Sequence, residues 1–351
     1  MSDPETDPPP PEEAPDKGAR RAGRVVRRLL IFFCIVVVLT GGGAFGLFQW
    51  AQTEYRAPGP LADRTVVVIE PGSGLQRIAR ELAEAGILAR PEVFIAMLRY
   101  TGEYRDLKAG EYAFDAAISP EDVTRKLVDN DVLSHAVTVP EGLTVYEIFD
   151  LLRQNADLTG DLPEPATEGS LLPETYHFNR GESRADIVRR MELAMQGALA
   201  ELWENRAAGL PFSSPEEALV LASIVEKETG VASERPHIAG VFVNRLKKGM
   251  RLQSDPTVVY ALTGGQGPLG RELTRQDWKV DDPYNTYQNT GLPPGPIANP
   301  GRDAIAAAMN PMQTKDLYFV ADGTGGHAFA ETLKQHNRNV AAWRKAKSSG
   351  N

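Results

Sequence analysis

The longest apolar run of the chain lies near its N-terminus. Residues 29–48, LLIFFCIVVVLTGGGAFGLF, contain no charged residue and are nearly all apolar or small. A run of this length suits an α-helix that crosses a hydrocarbon core about 30 Å thick. It is longer than the roughly 7–15 residues of a signal-peptide core, and no small-x-small cleavage site follows. We therefore predict one uncleaved transmembrane helix at 29–48.

After residue 64 the apolar pattern changes to short strands that alternate with helices. TVVVIEPGSG at 65–74 is typical of a strand and turn, and apolar residues then recur at helical spacing. A second helix is expected at about 91–100, then a strand in KAGEYAF and a helix after Ser119. HAVTVPEG repeats the strand and turn before another helix. The pattern predicts a small α+β subdomain at 65–135, which could be a glycan-binding module or a plain packing unit.

Two segments beside the apolar run lack periodicity. Residues 1–28 begin with prolines and acids and end in basic residues, which favours a disordered tail. The segment 49–64 contains two prolines within AQTEYRAPGPLADR and is predicted to be a linker. The remaining region, 136–345, is long enough for a larger α+β domain.

Within this larger region, the segment SSPEEALVLASIVEKETG at 213–230 predicts a buried helix. Ser214 can cap it and Glu217 can close a capping box, while its body is apolar almost all round. Glu226 and Glu228 interrupt the apolar end of this helix. At about 100° per residue they point about 200° apart, so at most one faces a cleft. Either a desolvated acid with a raised pKa lies here, or both acids mark an exposed last turn.

Other segments of the region suggest further elements. A long helix is expected near 184–206, and a helix capped by Ser233 continues through IAGVFVNRLKKG. The stretch DDPYNTYQNTGLPPGPIANPG at 281–301 predicts either a rigid lining for sugar rings or a structural loop. LYFVADGTGGHAFAET predicts a β-hairpin with its turn at 322–326, in which a lone His327 is more often structural.

Charge and composition narrow the partners and the chemistry. The net charge of -9 argues against nucleic acid as a partner. Cys34, the single cysteine, can form no intramolecular disulfide, and bulky Phe33 before it disfavours lipidation. The histidines lack zinc-ligand spacing, so neither a metal nor another cofactor is expected.

Basic residues precede the span while its other flank is nearly neutral. This predicts an inner-membrane, single-pass protein with a cytoplasmic N-terminus and a periplasmic catalytic domain.

Several motifs, taken in order and spacing, resemble the endolytic murein transglycosylases of the MltG (YceG-like) family. They are LASIVEKET, VFVNRLKKGMRLQSDPTVVYAL, YNTYQNTGLPPGPIANPG and LYFVADGTGGHAFAET. LLPETYHF matches more loosely, with Leu172 and Glu174 where the family favours an aromatic residue and Asp. The resemblance implies that 65–135 is a LysM-like subdomain and that Glu226 is the catalytic acid. The substrate-binding candidates it implies are Asn244, Gln253, Asp255, Tyr284, Asn285 and Tyr287.

The resemblance also implies a reaction. Glu226 would protonate the glycosidic oxygen between MurNAc and GlcNAc, then act as base on the C6 hydroxyl of the same sugar, leaving a 1,6-anhydroMurNAc end. The implied partners are peptidoglycan glycan strands, the inner membrane and peptidoglycan synthases. The alternative is a non-enzymatic, membrane-tethered glycan-binding scaffold of the cell-wall synthesis machinery.

Overall fold

The predicted span lies inside a longer helix, α1 (Lys17–Arg56). The structure is a computed structural model that describes residues 17–164 and 166–349. Among these residues, one helical segment, Arg27–Arg56, is long and apolar enough to cross a membrane. An N-terminal apolar helix of this kind indicates membrane anchoring.

The flanks of the span differ from the expectation on both sides. Residues 17–28 are helical, so the disordered tail predicted for 1–28 is wrong there; the prediction for 1–16 lies outside the described residues. The linker predicted at 49–64 is helical as far as Arg56. The reason is that Tyr55 packs into the core of the unit that follows and is 5% exposed.

The chain forms two compact units, the first ending at Leu133 and the second beginning at Ser134. In the first unit an antiparallel strand pair, with Thr65 opposite Phe114, carries helices whose apolar faces form one core. The order strand, helix, helix, strand agrees with the α+β pattern of the sequence, and the LysM-like assignment stays a prediction. After α1, its elements are β1 (Thr65–Ile69), α2 (Leu75–Glu84), α3 (Pro91–Thr101), β2 (Gly110–Phe114) and α4 (Pro120–Asp129).

The second unit begins with another antiparallel strand pair, in which Ser134 lies opposite Asn179. The helix between these strands starts at a capping box, because Thr144 accepts a hydrogen bond from the Glu147 amide and Glu147 accepts one from the Thr144 amide. The elements are β3 (Ser134–Thr138), α5 (Val145–Gln154), β4 (Thr175–Asn179) and α6 (Arg184–Glu204).

The rest of the second unit is organised around one buried helix. Every residue from Ala218 to Val225 in this helix is buried, as the apolar sequence predicts. This helix packs chiefly against the helix at 302–309 and against the next helix in the chain, at 235–247. The elements are α7 (Pro215–Glu228), α8 (Arg235–Lys247), α9 (Asp255–Thr263), α10 (Arg302–Met309), β5 (Tyr318–Ala321), β6 (His327–Ala330) and α11 (Leu333–Ser349).

The capping predictions have mixed outcomes. Ser214 caps α7 as predicted, whereas Glu217 accepts from the Ser213 amide at 2.6 Å rather than from the Ser214 amide. The cap predicted at Ser233 is wrong, because a short 3-10 turn occupies 232–234 and α8 begins at Arg235. The hairpin prediction is confirmed by the pairing of β5 with β6.

Candidate active site

The last turn of α7 directs two carboxyl groups to different surroundings. Glu226 reaches Arg235 of α8 and the N-terminus of α10, whereas Glu228 reaches Ser254, the residue before α9. The Glu226 side chain is only 5% exposed, and the Glu228 carboxyl is desolvated as well. The alternative that both acids mark an exposed last turn is therefore wrong.

Glu226 belongs to a buried ionic network. One carboxylate oxygen accepts from Nη2 of Arg235 at 3.0 Å, and the other accepts from the Gly301 amide at 2.9 Å. Arg235, 9% exposed, also donates to Glu141 at 2.7 Å and lies 3.6 Å from Asp303. Burial and the charge of Glu141 raise the pKa of Glu226 above its usual value, although the Gly301 amide and the Arg235 guanidinium act against that shift. These two hydrogen-bond partners stabilise the ionised form of Glu226.

Gly301 shows how closely this network is packed. It precedes α10, so its amide is one of the free donors at a helix N-terminus, where a carboxylate is stabilised. A Cβ atom at this position would overlap the carboxylate of Glu141, so any other residue would force the Glu141 side chain to move.

Glu228 has a different set of neighbours. Its Oε1 accepts a hydrogen bond from the Ser254 hydroxyl at 2.5 Å, and within the described part of the chain no arginine or lysine hydrogen-bonds to it. Burial raises the pKa of Glu228 to about 7; Ser254, His327 and Arg245 act against this shift, and the charge of Asp255 acts with it. A carboxyl with such a pKa can serve as acid and then as base near neutral pH.

An aromatic pair lies beside this carboxyl, held by Asp255. The Oδ1 atom of Asp255 accepts from the Tyr287 hydroxyl at 2.7 Å and from Nε1 of Trp278 at 3.0 Å. The two rings stack with centroids 5.7 Å apart. Burial raises the pKa of Tyr287, so its hydroxyl stays protonated and donates. A fixed aromatic surface of this kind suits the apolar face of a sugar ring.

Hydroxyl groups fix the start of α9 against the loop at 281–301. The Ser254 amide donates to Oγ1 of Thr286 at 3.0 Å, and the hydroxyls of Thr257 and Thr286 lie 2.8 Å apart. Gln253 donates its amide to the Thr286 carbonyl and has a φ of +53°, which is strained for a residue with a side chain. The loop predicted as a site lining thus positions the neighbours of Glu228.

The other predicted binding residues have structural contacts. The Asn244 amide donates to the carbonyls of Thr314 and Asp316 before β5. Asn285, fully buried, donates to the carbonyls of Trp278 and Val280. Asn285 therefore shapes the turn that carries Trp278. Tyr284 packs against Tyr260 with ring centroids 4.8 Å apart. Of the predicted candidates, Asp255 and Tyr287 come together with Gln253 beside them.

Two residues were missed by the sequence reasoning. Trp278, which completes the aromatic pair, is a lone tryptophan in the polar segment LTRQDWKVDD, and that was its only signal. Glu168 accepts from the Val145 amide at 3.0 Å and from the Asn299 side chain at 2.9 Å. Burial raises the pKa of Glu168 to about 7. No sequence motif marks it, and its partners at the start of α5 give it a structural role.

A cavity of about 470 Å³ opens beside Asp255. Its lining is mostly apolar and includes Val259, Tyr260 and Leu269, with Lys227 at its edge. His327 lies outside this lining and contacts Glu234, with 2.7 Å between Nδ1 and the carboxylate. This ion-pairing geometry agrees with the structural reading of His327.

The described residues contain no cluster of three or more His, Cys, Asp or Glu side chains that could hold a metal ion. Glu228, whose pKa burial raises to about 7, has the chemistry needed to transfer a proton, and it lies near the aromatic pair that Asp255 holds in place.

Comparisons with known proteins agree with the motifs. The model of the YceG-like family matches residues 67–342. An endolytic murein transglycosylase of Streptococcus pneumoniae is 32% identical over 327 residues, covering 78% of this chain and 57% of that protein. One of Bacillus subtilis is 30% identical, covering 77% of this chain and 82% of that protein. This chain thus spans less than two thirds of the pneumococcal relative. A crystal structure of a YceG-like protein from Listeria monocytogenes is 30% identical over 79% of this chain and 99% of that one, with a TM-score of 0.48.

Proposed function

The chain belongs to the YceG-like family, and from that premise we propose that it is a membrane-anchored endolytic murein transglycosylase. Its substrate is the glycan strand of nascent peptidoglycan, in which it cuts the bond between MurNAc and GlcNAc and so ends strand elongation. Relatives from two organisms carry the name of this activity. The observation that carries the proposal is the Glu228 carboxyl, with a pKa of about 7, beside an aromatic pair.

We assign the proton-donor role to Glu228, whereas the family resemblance implies Glu226. A general acid must hold its proton before the reaction begins. Glu226 faces the Arg235 guanidinium and a helix N-terminus, and both stabilise its anion. Glu228 has a hydroxyl partner and a nearby negative charge on Asp255, and these surroundings keep the proton available near neutral pH.

The reaction needs one carboxyl group in two successive roles. In the first step Glu228 gives its proton to the glycosidic oxygen, the bond to the anomeric carbon of MurNAc breaks, and GlcNAc leaves as an alcohol. In the second step the Glu228 carboxylate takes the proton of the MurNAc C6 hydroxyl, whose oxygen attacks the anomeric carbon. The proton returns to Glu228, no water is consumed, and a 1,6-anhydro ring forms. Because nucleophile and electrophile share one sugar, proximity replaces a second catalytic carboxylate.

The residues around Glu228 have supporting roles in this scheme. Trp278 and Tyr287 provide a flat surface for a sugar ring next to the scissile bond. Asp255 holds both aromatic groups through its Oδ1 atom, so its carboxylate is occupied in orienting them. Should water rather than the C6 hydroxyl attack, Asp255 is the first candidate for the second carboxylate that hydrolysis requires.

The proposed location is the inner membrane. Helix α1 is the anchor, and basic residues before the span, among them Arg24, Arg27 and Arg28, keep the N-terminus in the cytoplasm. The second unit then lies in the periplasm, where peptidoglycan is assembled. Peptidoglycan synthases are the expected neighbours there.

Digestion in ¹⁸O-labelled water tests the proposed reaction. Purified glycan strands are cut by the full chain in detergent, and the new ends are analysed by mass spectrometry. Transglycosylation leaves anhydro ends without label, because the attacking oxygen comes from the sugar. Labelled reducing MurNAc ends would show hydrolysis instead. Intact strands after incubation with the folded protein would favour the glycan-binding scaffold.

A further inference from the structure

We propose that the first unit is seated on the membrane through a patch formed by Trp50, Arg90, Arg99 and Tyr100, which binds the headgroup layer of a phospholipid bilayer. This patch is called the interfacial patch below. The proposal rests on the membrane anchor of the proposed function and does not depend on catalysis. In this proposal the first unit lies at a fixed distance from the bilayer surface, and no flexible linker separates it from the membrane-spanning helix.

The first observation is that α1 enters the unit without a break. Tyr55 is buried in the core of the unit and its hydroxyl donates to Oγ1 of Thr124 at 2.7 Å, while Ala51 packs against the same core. At a rise of about 1.5 Å per residue, Tyr55 lies about 10 Å beyond Phe48, the last residue of the apolar run. The headgroup layer on each side of a bilayer is roughly 5–8 Å thick. The core of the unit therefore begins at the membrane surface.

The second observation is that both ends of α3 contact α1 near the end of the span. At one end of α3 the ring of Tyr100 lies 5.0 Å from the ring of Phe48, edge to face. At the other end the Arg90 guanidinium lies 5.1 Å from the centre of the Trp50 ring and forms an ion pair with Glu54 at 3.3 Å. All these contacts fall within residues 48–54 of α1. Helix α3 is thus held at the level where the hydrocarbon ends.

The third observation is the exposure of these aromatic groups. Tyr100 is 70% exposed and Trp50 is 45% exposed, although both are large and partly apolar. Tyrosine and tryptophan favour the boundary between hydrocarbon and water, since the ring is apolar and its polar atom reaches the headgroups. Arg99, exposed next to Tyr100, adds a cation for lipid phosphate. Because Tyr100 touches the last residue of the span, the occupant that fits this patch is the bilayer itself.

The protein offers a simple way to test this seating. Cys34 is its one cysteine, so Cys34→Ser gives a background for labelling single positions. A nitroxide spin label at Tyr100→Cys reports the interfacial patch in the full chain, reconstituted into vesicles of phosphatidylethanolamine and phosphatidylglycerol. Val68→Cys on β1, an exposed position of the same unit, serves as the water-facing control. Val38→Cys reports the span. Collision of each label with oxygen and with a water-soluble nickel chelate measures its depth.

The expected result is a severalfold loss of collision with the nickel chelate at position 100 relative to position 68. Arg99→Cys should show the same loss, which guards against a local effect of replacing the tyrosine. Equal access of the chelate to positions 100, 99 and 68, with position 38 protected, would overturn the seating and leave the anchor intact. Full access at position 38 would mean that the anchor is wrong, which is a failure of the proposed location instead.

Discussion

Glu226 and Glu228 leave the same turn of α7 and both are desolvated, yet their hydrogen-bond partners differ in charge. Glu226 accepts from a guanidinium and from an amide at a helix N-terminus, whereas Glu228 accepts from a neutral hydroxyl. Burial alone raises the pKa of any carboxyl. The charge of the hydrogen-bond partner, and not burial alone, therefore distinguishes the two carboxyl groups at this helix end.

The two surroundings also differ in what they connect. The Arg235 network ties α7, α8 and the start of α10 together, and so it stabilises the unit. Glu228 connects α7 to Ser254 and lies near the half-buried aromatic pair of Trp278 and Tyr287. The Glu226 side of the turn is thus tied to other helices by an ionic network, whereas the Glu228 side is tied to the start of α9 by a neutral hydroxyl.

The largest expected effect is on catalysis. Glu228→Gln should lower the rate of glycan cutting by about 10²–10⁴-fold, because an amide cannot donate the acid proton. Glu226→Gln is the matched control, with the same chemical change two residues away, and should keep most activity per folded molecule. Rates are measured on purified strands, with circular dichroism to establish folding. An inactive Glu226→Gln beside an active Glu228→Gln would restore the assignment that the sequence suggested.

The second effect is on stability. Arg235→Met should lower the free energy of unfolding by roughly 3–5 kcal/mol, because it leaves the buried Glu226 carboxylate without its cation. Lys248→Met, at an exposed position at the end of α8, should change it by no more than about 0.5 kcal/mol. Chemical denaturation of both variants in detergent measures the difference. Equal stability of the two variants would show that the ionic network is not structural.

The third effect is a dependence of stability on pH. The folded state holds the proton of Glu228 up to a pKa of about 7, whereas the unfolded chain loses it near 4.5. Stability is therefore fully present below about pH 4.5 and falls as pH rises towards 7, by at most about 1.4 kcal/mol per unit. Glu228→Gln should remove this contribution. Denaturation curves across this range measure the slope, and an unchanged slope would mean that Glu228 is ionised in the folded protein.

Glu168 provides the control for that experiment. Its pKa of about 7 adds a second slope of the same sign, so Glu168→Gln should also flatten the stability profile. Glycan cutting should decline above about pH 7, where Glu228 loses its proton, and this decline should persist in Glu168→Gln because the partners of Glu168 are structural. A decline that moves with Glu168 would place the titration on the wrong acid.

The sequence predicts most of the elements correctly, since they follow from local patterns. The apolar body of α7, the cap at Ser214 and the hairpin turn at 322–326 all agree with the structure. The errors arise where tertiary contacts override local signals. The segment before Arg56 contains no helical pattern of its own, but Tyr55 is held by a core that forms later in the chain. Ser233 could cap a helix, but a 3-10 turn precedes α8 instead.

The site is less accessible to sequence reasoning. Helical geometry shows that Glu226 and Glu228 diverge, but not which of them meets Arg235 and which meets Ser254, because those partners come from other elements. The motifs name Asp255 and Tyr287 as candidates without showing the hydrogen bond that joins them, whereas Trp278 and Glu168 carry no motif. Asn244 and Asn285 have amides suited to sugar hydroxyls, yet backbone carbonyls occupy them. Residue type alone does not show whether a polar group is already satisfied.

Infrared difference spectroscopy of the carboxyl groups tests most directly whether Glu228 or Glu226 holds a proton in the folded protein. The band of protonated carboxyl is recorded in the full chain at pH 6 and compared with Glu228→Gln and Glu226→Gln. We expect Glu228→Gln to remove part of this band and Glu168 to supply part of what remains. Glu226→Gln should leave the band unchanged, because the Arg235 guanidinium and the Gly301 amide stabilise the ionised form of Glu226. Loss of the band in Glu226→Gln and its retention in Glu228→Gln would contradict the assignment of the proton donor to Glu228, because Glu226 would then hold the proton.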